Sequence, residues 1–343
     1  MGEKEYKYMV AVQCMTFNQS KYILDTLNGF VMQQTNFPYV VMVVDDASTD
    51  GEQEVIRKFV SEQFDTNDIS VAYEKEIDYA HITYAQHKTN KNCYIVVLYL
   101  KENHYSQRKP KMPYLAEWRD YVKYEALCEG DDYWIDAQKL QKQVDFLEEN
   151  EEYGLVYGKA KTYVQKENKF GKIIGEKKNG FEDLLVSNGI PTLTVMYRMS
   201  AVYGYDDFVK EERSRASWQM GDYPMWLYIS FRYKIYFLEE LSAVYRKLSE
   251  STSHKKDINS QISFINSVAE ISLYFIKYSG RRELMYAWKV FYCNEILNTY
   301  VVYDSKVNFS TIKKYWTWEL KIVIKLLFLQ TNFTRNLLKY RLN

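Results

Sequence analysis

The chain has 343 residues, 47% of them hydrophobic and 26% charged, which allows two domains and excludes disordered, collagen-like and low-complexity classes. Lys plus Arg and Asp plus Glu both number 45, so the net charge is +0 and nucleic acid is excluded as a general partner. The four cysteines, Cys14, Cys93, Cys128 and Cys293, have no CxxC spacing, which argues against a zinc site or a disulfide framework and for reduced thiols in a cytoplasmic protein. The charged start MGEKEYKY does not read as a secretory signal, and no run of about 18 apolar residues reads as a membrane span.

Tyr8 to Cys14 is a short run of β-formers and reads as the first strand. From Ser20, a candidate N-cap, the apolar positions Ile23, Leu24, Leu27, Phe30 and Val31 repeat at three and four, the spacing of a helix. Val40 to Val44 does not alternate, so it reads as a strand buried on both faces and ended by Asp45-Asp46. Asp50 or Thr49 can cap a second helix carrying Val55, Ile56, Phe59 and Val60, and Ile69 to Tyr73 reads as a third strand. The order βαβαβ predicts an α/β fold with a Rossmann-like, mostly parallel sheet flanked by helices, whose ligands bind outside the carboxyl ends of the strands.

Residues 75–122 are less regular. They hold the polar run HKTNKN, an apolar stretch from Tyr94 to Leu100 and the basic loop NHYSQRKPKMP. Tyr124 to Cys128 reads as a strand that delivers EGDDYW to a helix marked by Leu140, Val144 and Leu147, and Ile190 to Tyr197 and Tyr236 to Tyr245 are later strand candidates. After about residue 256 the pattern is helical to the end, which places a boundary between residues 1–255 and a C-terminal helical region, 256–343.

Two acidic pairs, Asp45-Asp46 and Asp131-Asp132, each follow an apolar strand and should leave the same edge of one sheet. Neighbouring carboxylates repel unless a cation or a donor-rich ligand fills the gap, and Mg²⁺ or Mn²⁺ accepts one or two carboxylates together with phosphate oxygens. Either pair alone also suits a solvated turn. The chain has no GxGxxG and no GxxxxGK[ST], so a bound nucleotide would lack the backbone cradle of those motifs.

In this order, VAVQCMTFN, VVMVVDDASTDG, CEGDDYW and WQMGDYPMW resemble the motifs of a family 2 glycosyltransferase of GT-A fold, over about residues 8–253. The resemblance implies that Phe17 stacks on the base of a nucleotide-sugar donor, Asp46 reads that base, Asp131 holds the ribose and Asp132 binds a Mn²⁺ or Mg²⁺ bridging the diphosphate. A carboxylate accepts the N3–H of uracil or thymine and would face the bare N3 of cytosine, which favours a UDP- or dTDP-sugar. Asp222 falls where the family carries its general base, although an Asp two residues before Pro224 also suits a helix cap. For Phe17 a place in the core beneath the sheet edge competes. Trp226 reads as core or as a sugar-stacking ring, and Asp206 and Asp207 compete with Asp222 from a turn.

The implied activity is inverting transfer of one sugar to a growing bacterial surface glycan or lipid-linked acceptor, on the inner face of the plasma membrane. A catalytically idle scaffold subunit that binds nucleotide sugar and a nucleotidyltransferase are the competing classes. The family's NxGxxxARN-like helix is missing, with HKTNKN in its place, so Lys91 is a candidate substitute for the lost arginine. The loop around Arg108 to Lys111 is a candidate wall of the acceptor side. His254 reads as an exposed loop histidine or as part of a lid, while His81, His87 and His104 lack metal-ligand spacing. Residues 311–343 carry seven Lys or Arg against Glu319 alone. There Ile312, Trp316, Leu320, Val323 and Leu327 share a helical face, which predicts a basic amphipathic helix that packs on its neighbours or makes a peripheral membrane contact.

Overall fold

The computed structural model describes residues 6–215, 218–248 and 257–330, without the side chains of residues 211–215. His254 and residues 331–343 lie outside the described residues. The chain divides into two compact units. One comprises residues up to 177 with 189–203 and 233–247, and the other comprises 178–188, 204–232 and the chain from 248 onward. The helical C-terminal region is therefore joined in its unit by two segments from before residue 255.

The first unit opens with β1 (Tyr8–Thr16), α1 (Ile23–Val31), β2 (Tyr39–Asp45) and α2 (Glu52–Gln63). There follow β3 (Ala72–Glu76), β4 (Ala80–Gln86), β5 (Cys93–Leu100), α3 (Ala116–Arg119), β6 (Val122–Leu127), β7 (Tyr133–Trp134) and α4 (Lys139–Glu149). It closes with β8 (Tyr153–Val164), β9 (Lys169–Ile174), β10 (Met196–Arg198) and β11 (Lys234–Lys247). These strands form one mixed sheet in the order β3-β4-β5-β2-β1-β6-β10-β8-β11-β7, with β9 paired to β8. At its centre β5, β2, β1 and β6 are parallel, while β4 and β10 join this block antiparallel on either side.

Every residue of β2 is buried, because both edges pair with parallel strands and both faces are covered. Val10, Val12, Cys14, Val41 and Val43 meet Ile23, Leu27, Phe30, Ile56, Leu140 and Val144 of α1, α2 and α4 on one face. The alternate residues Ala11, Val40, Met42 and Val44 meet Leu115 and Trp118 on the other. This period of two inside an unbroken apolar run is what a strand between two layers requires.

The third parallel strand is β5, not Ile69 to Tyr73. Ile69 is 95% exposed, and the strand nearest to it, β3, is the outer half of an inserted antiparallel hairpin with β4. The sequence AYEKE of β3 suits a charged sheet edge that discourages pairing with other chains. Of the stretch Ile190 to Tyr197 only the end is strand, preceded by a short 3-10 turn.

The second unit holds α5 (Phe181–Val186), α6 (Tyr205–Arg215), α7 (Asp222–Arg232), α8 (Ile258–Tyr278), α9 (Met285–Val302), α10 (Phe309–Ile312) and α11 (Leu320–Phe328). Asp257 caps α8 by accepting the Ser260 N–H at 2.9 Å. The continuous amphipathic helix expected from residue 311 onward is interrupted, since α10 ends at Ile312 and α11 begins at Leu320. Its expected apolar face is not the packed one: Ile322 and Leu329 are buried, whereas Leu320 and Leu327 face solvent.

Candidate functional site

The carboxyl end of β1 is the hub of the first unit's acidic loops. Thr16 accepts the Asp46 N–H through its carbonyl at 3.0 Å, and Met15 accepts the Gly130 N–H at 3.1 Å, so the loops after β2 and β6 flank the same strand end. A Cβ at Gly130 would stand 2.1 Å from Thr16 Oγ1, a contact only glycine permits. The Thr16 hydroxyl donates to the buried Glu52, whose carboxylate also accepts the Gln19 N–H at 2.8 Å and the Ser48 hydroxyl at 2.8 Å. Glu52 thus ties the 16–20 turn to the 46–51 turn. The sequence reading missed Glu52, and it placed the cap of α2 at Thr49 or Asp50, where the structure has Gly51 as N-cap with no side-chain cap. Phe17, one residue past β1, is 42% exposed and lies outside the core.

Asp45 and Asp46 have different surroundings, as adjacent residues leaving a strand must. Asp45 accepts the Ser48 N–H at 3.1 Å and the Gln53 amide at 2.6 Å, and burial raises its pKa. Asp46 is gripped by the loop that follows β5. Its oxygens accept the N–H groups of His104 at 2.7 Å and Tyr105 at 3.0 Å, and Lys111 Nζ lies 2.8 Å away. Burial pushes the Asp46 carboxyl up, but Lys111 and the two N–H donors together outweigh it and hold the pKa below the usual range. The sequence reading gave the loop ending at Lys111 to the acceptor side and did not find this pairing, whose partners stand 65 positions apart.

Lys91, the candidate substitute for the missing arginine, is instead tied to Asp65 at 2.9 Å. The HKTNKN run forms the turn between β4 and β5, at the amino end of β5 and so at the opposite edge from Asp46. The basic loop expected to line the acceptor side sends Lys111 to Asp46.

A methionine at position 111 removes the cation and keeps the stem. Lys111→Met should cost about 1.5–3 kcal/mol, as for a hydrogen bond to a charged group. Because the folded pKa of Asp46 is depressed, the lost stability is present above the unfolded carboxyl pKa of about 3.9 and fades as pH falls through the folded value. Urea melts at pH 7 and pH 3 check this, and an equal cost at both would show that the ion pair is not its source.

Asp131 and Asp132 follow β6. Asp132 is buried; one carboxylate oxygen accepts the Arg246 N–H at 2.7 Å and its carbonyl accepts the Thr26 hydroxyl at 2.5 Å. Arg246, on β11, donates Nε to the Asp131 carbonyl at 2.8 Å, pairs with Asp25 at 2.7 Å and lies over the rings of Tyr22 and Tyr133. Burial, and then the Asp131 charge, raise the Asp132 pKa well above the ordinary carboxylate value, and burial raises that of Asp131 as well. An arginine at the end of an apolar strand was the only sequence signal for Arg246.

Among the described residues no group of three or more His, Cys, Asp or Glu is arranged to hold a metal ion. Two adjacent, under-compensated carboxylates nevertheless fit a hard cation that completes its shell with phosphate oxygens and water. Cys14, Cys93, Cys128 and Cys293 are buried and free, and for all four thiols burial raises the pKa, so none is a reactive thiolate.

In the second unit Asp222 is the first residue of α7. It is half-buried, and its carboxylate accepts the Tyr223 N–H at 2.8 Å. Pro224 lies within the first turn, where its missing N–H costs nothing. Trp226 is completely buried and is a core residue, not a sugar-stacking surface. Asp206 and Asp207 are exposed on the first turn of α6, where two acids suit a helix start. His87 is buried and accepts the Asn90 N–H through Nδ1 at 3.0 Å, while His81 lies 3.0 Å from Glu76, so both have local roles.

Residues 14–92 match the model of the family described as Glycosyl transferase family 2. The uncharacterized protein Rv1520 of Mycobacterium tuberculosis is 26% identical over 257 residues, which cover 71% of this chain and 60% of that protein. The chain thus spans about three fifths of the length of its curated relative. Among solved structures, Staphylococcus aureus TarS 1-349 in complex with UDP aligns with a TM-score of 0.49 at 15% identity, covering 95% of this chain and 82% of the other. Mannosyltransferase PcManGT from Pyrobaculum calidifontis, in complex with GDP-Man and Mn²⁺, aligns with a TM-score of 0.47 at 11% identity, covering 98% and 88%. The family match falls on the N-terminal portion of the chain, where the loops after β1 and β2 form.

Proposed function

We propose that the protein is an inverting, metal-dependent glycosyltransferase that moves a sugar from a nucleoside-diphosphate sugar to a hydroxyl of a surface glycan or lipid-linked acceptor. The observation that carries this reading is the placement of Phe17, Asp46 and the Asp131-Asp132 pair on loops joined at the end of β1. The catalytic portion is residues 1–255, with residues 256–343 as a helical extension.

Phe17 offers an exposed ring for a base to stack on, an interaction indifferent to base identity. Asp46 retains lone pairs beyond those used by His104, Tyr105 and Lys111, and one of them accepts the imide N–H of uracil. Asp131 accepts from the ribose. Mn²⁺ or Mg²⁺ held by Asp132 would, when bound, stabilise the charge that gathers on the leaving diphosphate. Asp222 takes the acceptor's hydroxyl proton as its oxygen bonds the anomeric carbon and the bond from that carbon to the diphosphate breaks. One displacement of this kind inverts the anomeric centre.

A thermal-shift screen of nucleotide sugars with and without Mn²⁺ tests the donor half. At a ligand concentration about 100 times Kd the native state gains about 2.7 kcal/mol, a rise of several degrees in Tm. A UDP-sugar should give that rise only with metal, followed by slow release of UDP. Binding without any release over hours would favour the idle scaffold subunit, and release of pyrophosphate from a nucleoside triphosphate would favour the nucleotidyltransferase.

A further inference from the structure

The described part of the C-terminal tail has an unusual distribution of side chains. In α11 the buried contacts to the helical unit are made by Ile322 and, just past the helix end, Leu329. Of the helix's two lysines, Lys325 turns the same way, with Nζ 2.6 Å from Asn294 Oδ1 and a second contact to Asn298 on α9. Leu320, Ile324 and Leu327, at spacings of four and three, form a row on the opposite side, and Leu320 is 69% and Leu327 64% exposed. Trp318, immediately before the helix, is 84% exposed and stands edge-on to Trp316 at 5.6 Å.

Exposed lysines accompany this row in the sequence. Lys313, Lys314 and Lys321 are exposed, and Lys314 lies 3.5 Å from Glu270. Over residues 311–343 the sequence has seven basic residues against one acidic. Two copies joined symmetrically through the row would bring these lysines together, which is repulsive, whereas an anionic surface would meet an apolar row and its lysines at once.

We propose that the row Leu320–Ile324–Leu327, with Trp318 ahead of it, seats the protein on the surface of an anionic lipid bilayer. Leucine and isoleucine enter the acyl boundary, Trp318 takes the headgroup level where indole rings concentrate, and the flanking lysines meet lipid phosphates. This row keeps Leu320 and Leu327 of the face read in the sequence and adds Ile324, while Ile312 is buried and the helix begins only at Leu320. The surface belongs to the second unit alone, so the proposal does not depend on sugar transfer, and a binding experiment without any donor tests it.

The experiment is co-sedimentation of the full chain with vesicles of phosphatidylcholine, with and without about a third phosphatidylglycerol. Binding is expected on the anionic vesicles only, and it should fall about tenfold between 0.05 and 0.5 M NaCl as the lysine attraction is screened. The double variant Leu320→Glu with Leu327→Glu, whose positions are exposed, should keep the wild-type Tm and lose at least about tenfold in bound fraction. Equal binding to neutral vesicles, no binding, binding unchanged in the double variant, or a wild-type dimer that the double variant converts to a monomer would overturn the proposal.

Discussion

Asp132→Asn is expected to abolish metal-supported nucleotide binding while leaving the protein as stable as before, or more so. Asparagine has the same shape and keeps an oxygen to accept the Arg246 N–H, now 2.7 Å from the carboxylate. What it loses is charge. With the Asp132 pKa raised by burial and then by Asp131, ionisation is penalised in the folded state relative to the unfolded chain. The native protein binds more protons than the unfolded one between the two pKa values, so stability falls as pH rises through that window. The substitution removes this slope, and melts in EDTA at pH 5 and pH 8 should show wild type losing more stability than the variant over that interval.

The same carboxylate must be deprotonated to bind a cation. The apparent affinity of the wild type for Mn²⁺ and nucleotide should therefore rise with pH across a range above the ordinary carboxylate value. Loss of a direct ligand should exceed the 10–100-fold cost typical of residues behind the ligands, so calorimetry should register at least about a 100-fold weaker complex. A variant that binds nucleotide with undiminished metal dependence would remove Asp132 from the site.

The central fold was legible because β1 and β2 are largely apolar runs long enough for one crossing of a sheet, and VVMVV could be uniformly apolar only between two covered faces. The outer strands were harder to read. AYEKE in β3 has a single buried residue, so neither alternation nor an apolar run marked it, and Ile69 outside the sheet looked more strand-like than the strand itself. That one insertion displaced the reading of the segment up to Lys111. With β5 unrecognised as the third parallel strand, HKTNKN seemed to follow that strand when it precedes it, and Lys91 was credited with the place that Lys111 holds. Long-range pairs such as Lys111 with Asp46 and Arg246 with Asp25 have no local pattern; they follow from strand order, which composition and period do not fix. In the tail the helix expected to run on from residue 311 breaks after Ile312, so Ile312, Ile322 and Leu329 are buried while Leu320 and Leu327 of the expected face are exposed.

Asp222→Asn separates a catalytic aspartate from a capping one. As the first residue of α7 Asp222 accepts the Tyr223 N–H, and the carbonyl oxygen of asparagine can accept it equally well, since Asn and Asp rank together at helix starts. The loss of negative charge near the helix N-terminus costs about 0.3–1 kcal/mol, a change in Tm of a few degrees at most. Donor binding, assigned to residues of the other unit, should be untouched in a titration. If Asp222 accepts the acceptor's proton, kcat should fall by about 10²–10⁴, equivalent to about 3–5 kcal/mol of transition-state stabilisation. No capping effect reaches that size, so a large fall in kcat with intact Tm and donor affinity assigns the base. Asp206→Asn, with its carboxylate exposed on the first turn of α6, is the control and should retain wild-type turnover. Should Asp222→Asn turn over at the wild-type rate, its carboxylate only starts a helix and the proton acceptor lies elsewhere.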